Sequence, residues 1–180
     1  MRHGETAWSL SGQHTSTTDL PLTTEGERKA AALGKMLGGK KFAAVYVSPM
    51  KRAQETCRIA GYAKDAIVTG DLHEWNYGSY EGLTTADIHK TAPDWTIWTA
   101  PPLGGETIAQ VAERARRVIR STPDGDVALF GHGHMLRVLA SCWLEVEPPM
   151  GRCFALSTGS ISVLGHERET PVLQMWNQTA

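Results

Sequence analysis

The run Asp126-Val127-Ala128-Leu129-Phe130-Gly131-His132-Gly133-His134 decides how this chain is read. An apolar run bounded by turn formers describes a strand buried on both faces. Met135 to Leu144 follows, apolar nearly all round, as a buried helix is. A buried strand that passes through a glycine-flanked histidine straight into a buried helix belongs to a sheet covered by helices. In open α/β sheets ligands sit beyond the C-terminal ends of the strands, so His132 stands where chemistry is expected.

The neighbouring segments extend the pattern in both directions. Glu106 to Arg120 places Ile108, Val111, Ala112, Ala115, Val118 and Ile119 on one helical stripe, with Arg114, Arg116, Arg117 and Arg120 on a solvated face. Phe154–Leu156, Ile161–Leu164 and Val172–Trp176 read as strands, the last two as a hairpin. Nearer the start, Phe42–Val47 is a strand, and Ser48-Pro49 opens a helix with Ser as cap and Pro at the first position. Ala66–Thr69 is a further short strand. Thr24-Glu25-Gly26-Glu27 reads as a capping box ahead of a helix bearing Ala30, Leu33 and Leu37, which Gly38-Gly39 stops. Ser11 to Asp19 is a polar turn cluster. Residues 73 to 105 are irregular, with a short helix near Thr85–Lys90. Their aromatic set, Trp75, Tyr77, Tyr80, Trp95 and Trp98, reads as packing under a loop or as pocket lining. Strand and helix alternate through most of the chain, so the expected class is α/β: three layers, α/β/α, around a mostly parallel sheet, in one domain over residues 1–180.

Composition narrows the function. The chain has 180 residues, 41% hydrophobic and 21% charged, which is ordinary for a globule and excludes global disorder. Lys plus Arg is 18 against 19 Asp plus Glu, without the basic excess a nucleic-acid binder uses on phosphates. No stretch approaches the apolar length of a membrane span, and no charged-then-apolar leader opens the sequence. Cys57, Cys142 and Cys153 are too few and odd in number for a disulfide scaffold, and fit a reducing, cytoplasmic setting. No nucleic-acid or membrane partner is expected. A small chain with an exposed last strand leaves room for a homodimer.

Three segments carry reactive residues to the expected edge of the sheet: Arg2-His3-Gly4-Glu5-Thr6, Ser48-Pro49-Met50-Lys51-Arg52 and Gly131-His132-Gly133. Two arginines suit a dianionic oxyanion such as phosphate, whose geometry matches the guanidinium fork. Two histidines beside them suit covalent and proton-transfer chemistry near neutral pH. Gly4 lets a backbone approach a ligand closely. His14, His89 and His166 read as surface or hydrogen-bonded residues. His132 and His134 also form a His-x-His pair, but the partners of a hydrolytic metal site are not spaced nearby, so neither metal nor cofactor is expected.

Taken together, these segments resemble the histidine phosphatase superfamily, with the phosphoglycerate-mutase-like fold. The resemblance is carried by Arg2-His3-Gly4-Glu5-Thr6, by Asp19-Leu20-Pro21-Leu22-Thr23 with Glu25-Gly26, and by Ser48-Pro49 with Arg52-Ala53 and Thr56. Glu74 with Tyr77-Gly78 and Glu81-Gly82-Leu83, then Gly104-Gly105-Glu106-Thr107 and His132-Gly133, complete it. The strings occur in order over almost the whole chain. The resemblance implies that His3 becomes a phosphohistidine, that Arg2, Arg52 and His132 hold the phosphoryl oxygens, and that Glu74 is the general acid and base. Ser9, Thr15, Ser16, Gly133, His134 and Trp75 would contact a small phosphomonoester. It also implies broad specificity and an acid to neutral optimum, as in small bacterial acid phosphatases and sedoheptulose-bisphosphatase-like members.

Three departures accompany the likeness. Ser9 and Ser16 stand where many members have Asn and Gly. Only Met1 precedes Arg2, where the family has a buried apolar strand, so the first strand is expected to be missing or truncated and His3 to lie on a frayed end. Residues 84 to 104 hold only Lys90 as a Lys or Arg, whereas the family's mutases carry a basic clamp there. Hydrolysis is therefore preferred. A phosphomutase and a non-catalytic phospho-ligand module are the alternatives.

Overall fold

The computed structural model describes residues 1–180 and contains two sheets. Helix α1 covers Ala7–Ser11 and α2 covers Thr24–Leu37. Strand β1 (Ala44–Val47) leads to α3 (Lys51–Ile59), and β2 (Ala66–Val68) follows. Helices α4 (Thr85–His89) and α5 (Ile108–Ser121) precede β3 (Val127–Phe130), which enters α6 (Gly133–Trp143). Strands β4 (Ile161–Glu167) and β5 (Thr170–Gln178) close the chain as an antiparallel hairpin. The other sheet is parallel in the order β2-β1-β3, with Val47 opposite both Val68 and Phe130.

Alternation along β1 and β3 builds two cores. Val45, Val47, Ala128 and Phe130 pack with Ala53 and Cys57 of α3. Tyr46 and Leu129, one residue out of step, pack toward Val111 and Ala115 of α5 and Met135, Val138 and Leu139 of α6. Helices thus cover both faces, and the α/β class stands. The register also aligns the strand ends. Ser48 N–H donates to the Phe130 carbonyl at 3.0 Å, so Ser48 and Gly131 leave the sheet side by side.

The start of the chain differs from expectation. Arg2 forms a parallel bridge with Gly131, and Gly131 N–H donates to the Met1 carbonyl. His3 N–H donates to Gly131, Arg2 N–H donates to the Ser160 carbonyl, and the His3 carbonyl accepts from Gly159. Met1–His3 makes a single bridge at Arg2 rather than a full strand, yet it joins β3 to the segment that enters β4, so His3 is held on both sides rather than frayed. Behind it an apolar cavity of about 260 Å³ lies between β3 and β4, walled by Phe42, Val127, Leu129, Leu139, Ile161 and Trp176. The Met1 ammonium donates to the Leu129 carbonyl at 2.7 Å, and burial pushes its pKa down to about 5.

Local readings shift for identifiable reasons. Thr23, not Thr24, caps α2, its hydroxyl accepting from Gly26 N–H at 3.0 Å. Ser48 does not cap α3, which begins three residues later. Asp19 instead reaches across to accept from Lys51 N–H at 2.8 Å. Helix α5 starts at Ile108 behind a Thr107–Gln110 capping box, because Glu106 is engaged elsewhere. Phe154–Leu156 is not a strand, and its Leu156 carbonyl accepts from the Arg2 guanidinium. Gly4 serves the protein rather than a ligand. A Cβ there would lie 2.3 Å from the Gly26 carbonyl oxygen, and one on Gly26 would lie 2.1 Å from that of Glu5.

Two outcomes follow for stability. Gly26→Ala forces the first loop off α2, and is expected to cost about 1–3 kcal/mol, the usual penalty of overpacking. Thermal melting reads this, and an unchanged midpoint would contradict it. A variant carrying a short β-branched apolar segment ahead of Met1 is expected to melt higher. A peptide N–H would then replace the buried amino group, and side chains would fill the cavity between β3 and β4. An equal or lower midpoint would show that this cavity does not accept a strand.

Candidate active site

Beyond the strand ends a second cavity of about 220 Å³ opens, with Arg2, His3, Glu74, Gly133 and His134 in its wall. His3 and His132 approach with ring centroids 5.1 Å apart and are both buried. Arg2 packs over Gly133, where a Cβ would stand 3.4 Å from the guanidinium carbon.

Hydrogen bonding assigns the ring protons. His3 Nδ1 lies 2.6 Å from the Gly4 carbonyl. A carbonyl only accepts, so Nδ1 carries the proton and Nε2 keeps its lone pair. Burial, then the charges of Arg2 and Arg52, hold the pKa of His3 well below 6.5 and the ring neutral. His132 Nε2 lies 2.7 Å from the Ser48 hydroxyl, which also accepts from Met50 N–H. The serine proton has His132 as its acceptor, which leaves the ring proton on Nδ1. Burial, then Arg52 and His3, keep this imidazole neutral as well.

Three buried side-chain nitrogens in the protein have no partner: Arg2 Nε, Arg52 Nε and His132 Nδ1. All three belong to residues packed about His3. Leaving such donors unpaired costs free energy unless a ligand meets them. Both Nη atoms of Arg52 are committed, whereas Arg2 engages only Nη1. Arg2 donates to Leu156, while Arg52 donates to the carbonyls of Thr15 and Ser16 through Nη2 and of Thr18 through Nη1. Glu81 completes that clamp, its carboxylate accepting from Ser16 N–H and Thr18 N–H.

Glu74 is held at the N-terminus of α6. Its Oε1 accepts from Trp75 N–H at 2.9 Å and Met135 N–H at 2.8 Å, and Oε2 accepts from His134 N–H at 3.0 Å. These three N–H groups fix the orientation of the carboxyl group. Arg114, expected on a solvated face, instead donates to the carbonyls of Asp71 and His73 and pairs with Glu106 at 2.8 Å. Glu106 in turn accepts from Asn76 N–H, so the loop bearing Glu74 is pinned on both flanks.

Not every expected contact reaches the cavity. Ser9, Thr15, Gly133 and His134 line it, although the Ser9 hydroxyl also closes the capping box of α1 with Thr6. Arg52 and His132 are fully buried, Ser16 is buried with its hydroxyl donating to the Glu74 carbonyl, and Trp75 is fully buried with its indole N–H on the Glu106 carbonyl, so none of these four lines it. Sequence reasoning missed Gln13, His14, Tyr77 and Arg137 as wall residues. His14 comes from the polar turn cluster, and its Nδ1 bond to the Leu83 carbonyl and ring contacts with Tyr77 at 4.8 Å and Trp95 at 5.6 Å bring it in. The His132/His134 pair is turned to different partners, Ser48 and Tyr77, and no group of three or more His, Cys, Asp or Glu is gathered to hold a metal.

Comparison with known proteins agrees with this geometry. The sequence matches the histidine phosphatase superfamily (branch 1) over residues 1–179. The chain belongs to that family and is an enzyme of its hydrolase class, a phosphatase. An acid phosphatase of Mycobacterium tuberculosis is 40% identical over 173 residues, spanning 93% of this chain and 85% of its own. A sedoheptulose 1,7-bisphosphatase of Saccharomyces cerevisiae is 34% identical, over 79% of this chain and 65% of its own. A solved structure of an open reading frame product from M. tuberculosis superposes with a TM-score of 0.93 at 38% identity, over 99% of this chain and 95% of that one. No helix is long and apolar enough to cross a membrane.

The neutral histidines set a pH dependence of stability. Burial depresses the folded pKa values of His3, His132 and His134 well below 6.5, near which they titrate when unfolded. Below that pH the unfolded chain binds protons that the folded chain refuses. Stability is therefore complete above pH 6.5 and declines beneath it. Melting temperatures at pH 8, 6.5 and 5 are expected to hold and then fall, with inorganic phosphate recovering part of the loss at pH 5. A midpoint that rises toward pH 5 would contradict the assignment.

Proposed function

We propose that the chain is a phosphomonoesterase working through a phosphohistidine on His3, with broad specificity for small phosphorylated metabolites. The observation that carries this reading is the set of three buried, unpartnered nitrogens about a neutral histidine whose Nε2 is free. His3 Nε2 attacks phosphorus in line with the ester oxygen, forming the N–P bond as the P–O bond breaks. Arg2 Nε, Arg52 Nε and His132 Nδ1 donate to the phosphoryl oxygens, where charge is stabilised most effectively by donors already in place. Glu74 enters as the acid. Its Oε1 is occupied by two backbone donors and Oε2 by one, so Oε2 is the oxygen that gives a proton to the leaving alkoxide. The resulting carboxylate then takes a proton from water, which attacks phosphorus, breaks the N–P bond and releases phosphate from His3.

Hydrolysis is preferred to transfer. Lys90, the one Lys or Arg in residues 84–104, is exposed and paired with Asp87 at 2.6 Å. Arg137 lines the cavity, but its guanidinium is drawn back onto the carbonyls of Gly151 and Arg152 and stacks on Trp98 at 4.7 Å. The three cysteines are unpaired, which supports a reducing, cytoplasmic setting. The family match over residues 1–179 supports reading the chain as one domain.

Phosphate release from p-nitrophenyl phosphate, with chelator present, tests this reading. His3→Ala is expected to lower kcat/KM by at least about a thousandfold, as loss of a nucleophile does. Because the fold keeps His3 neutral below its ordinary pKa of 6.5, the parent should retain activity at pH 5. Turnover surviving in His3→Ala, or lost below pH 6.5 while the chain remains folded, would overturn the assignment.

A further inference from the structure

We infer that His134 is a specificity-determining residue, whose Nε2–H, set by Tyr77, donates to an oxygen on the carbon beside the phosphoester. The site would then favour polyol and sugar phosphates over aryl phosphates. The inference rests on the phosphatase reading above and names the substrate class within it.

The Tyr77 hydroxyl lies 2.6 Å from His134 Nδ1, its one side-chain or backbone partner. Burial raises the pKa of the phenol well above 10, so it remains an O–H. Burial, reinforced by Arg137 and His14, keeps His134 neutral. A neutral imidazole holds one proton. Were it on Nδ1, the buried Tyr77 proton would have no acceptor. With Tyr77 donating, Nδ1 accepts and the ring proton resides on Nε2. That nitrogen has no protein partner, yet it is not among the fully buried unpartnered atoms, and His134 stands in the cavity wall. It is therefore a donor open to a ligand.

Its position suits the leaving group. The backbone N–H of His134 grips Glu74 Oε2, the oxygen assigned to protonate the ester. The two donors are thereby fixed to one residue, one reaching the ester oxygen through Glu74 and the other through the ring. Trp98 at 5.4 Å and Tyr77 at 5.8 Å between ring centroids restrain the imidazole. The surrounding wall adds Gln13, Thr15 and Thr85, uncharged hydrogen-bonding groups that match hydroxyls.

The test compares kcat/KM for glycerol 3-phosphate and p-nitrophenyl phosphate in the parent, His134→Phe, His134→Gln and Tyr77→Phe. In His134→Phe, kcat/KM for glycerol 3-phosphate is expected to drop about fivefold further than for the aryl ester, the scale of one uncharged hydrogen bond. His134→Gln, which keeps an N–H, should recover most of that difference, and Tyr77→Phe should lose part of it. An equal drop on both substrates, or none on either, would overturn the inference. If the parent hydrolyses neither ester, the phosphatase reading falls by itself. Binding then decides the role of His134: a Kd raised for glycerol 3-phosphate and not for inorganic phosphate in His134→Phe supports it, and parallel changes overturn it.

Discussion

Four nitrogen-bearing side chains, the buried His3, Arg52 and His132 and the half-buried Arg2, are gathered together, and most of the structure answers to that constraint. Buried guanidinium and imidazole groups are tolerated only where oxygens meet them. The protein supplies the oxygens from distant places: Leu156 for Arg2, the 15–18 loop for Arg52, Gly4 for His3 and Ser48 for His132. Each of these leaves one nitrogen uncommitted or one lone pair free. The balance is between holding the groups rigidly and leaving some of their nitrogens without a protein partner. Carbonyl acceptors achieve it because they fix the orientation of a donor without adding a formal charge.

Rigidity then comes from backbone packed against backbone. Gly4 and Gly26 let the first loop lie directly on α2, and Thr56 ties the two sides, accepting from Gly4 N–H and donating to the Arg52 carbonyl. On the far side of the cavity, Arg114 and Glu106 fasten the loop of Glu74, whose carboxylate is seated on the first turn of α6. His132 caps that helix and Gly133 begins it. The end of β3 and the start of α6 thus supply the buried His132 ring and the seat of the Glu74 carboxyl group within four residues.

Much of this was legible in the chain. The apolar run at 127–130, the helical stripe of α5 and the terminal hairpin follow from periodicity, because burial on one or both faces imposes spacing on neighbouring residues. Arg2, His3, Arg52 and His132 could be named because their segments follow strands and turn formers, whereas Glu74 was named only through the family resemblance. Less legible were contacts linking residues far apart in sequence. Asp19 capping α3, Arg114 pinning the Glu74 loop and His14 entering the cavity wall each join segments more than thirty residues apart, or depend on a loop whose path has no periodicity. Ser48 illustrates the competition. By local rules it is a helix cap, but a buried imidazole needs a partner more than an accessible helix end does.

By itself the sequence determined the class of fold, the order of its elements and the reactive side chains at the ends of the parallel strands, since these depend on short-range patterns of burial and turn. Tertiary structure alone decided which nitrogen of each histidine carries its proton, which guanidinium atoms remain free, and that Ser16 and Trp75 face inward while His14 and Tyr77 face the ligand. The reason is physical. Tautomer, orientation and access are set by the partner a group meets in space, and most of these partners lie 31 to 154 residues away, a separation that leaves no mark on local spacing.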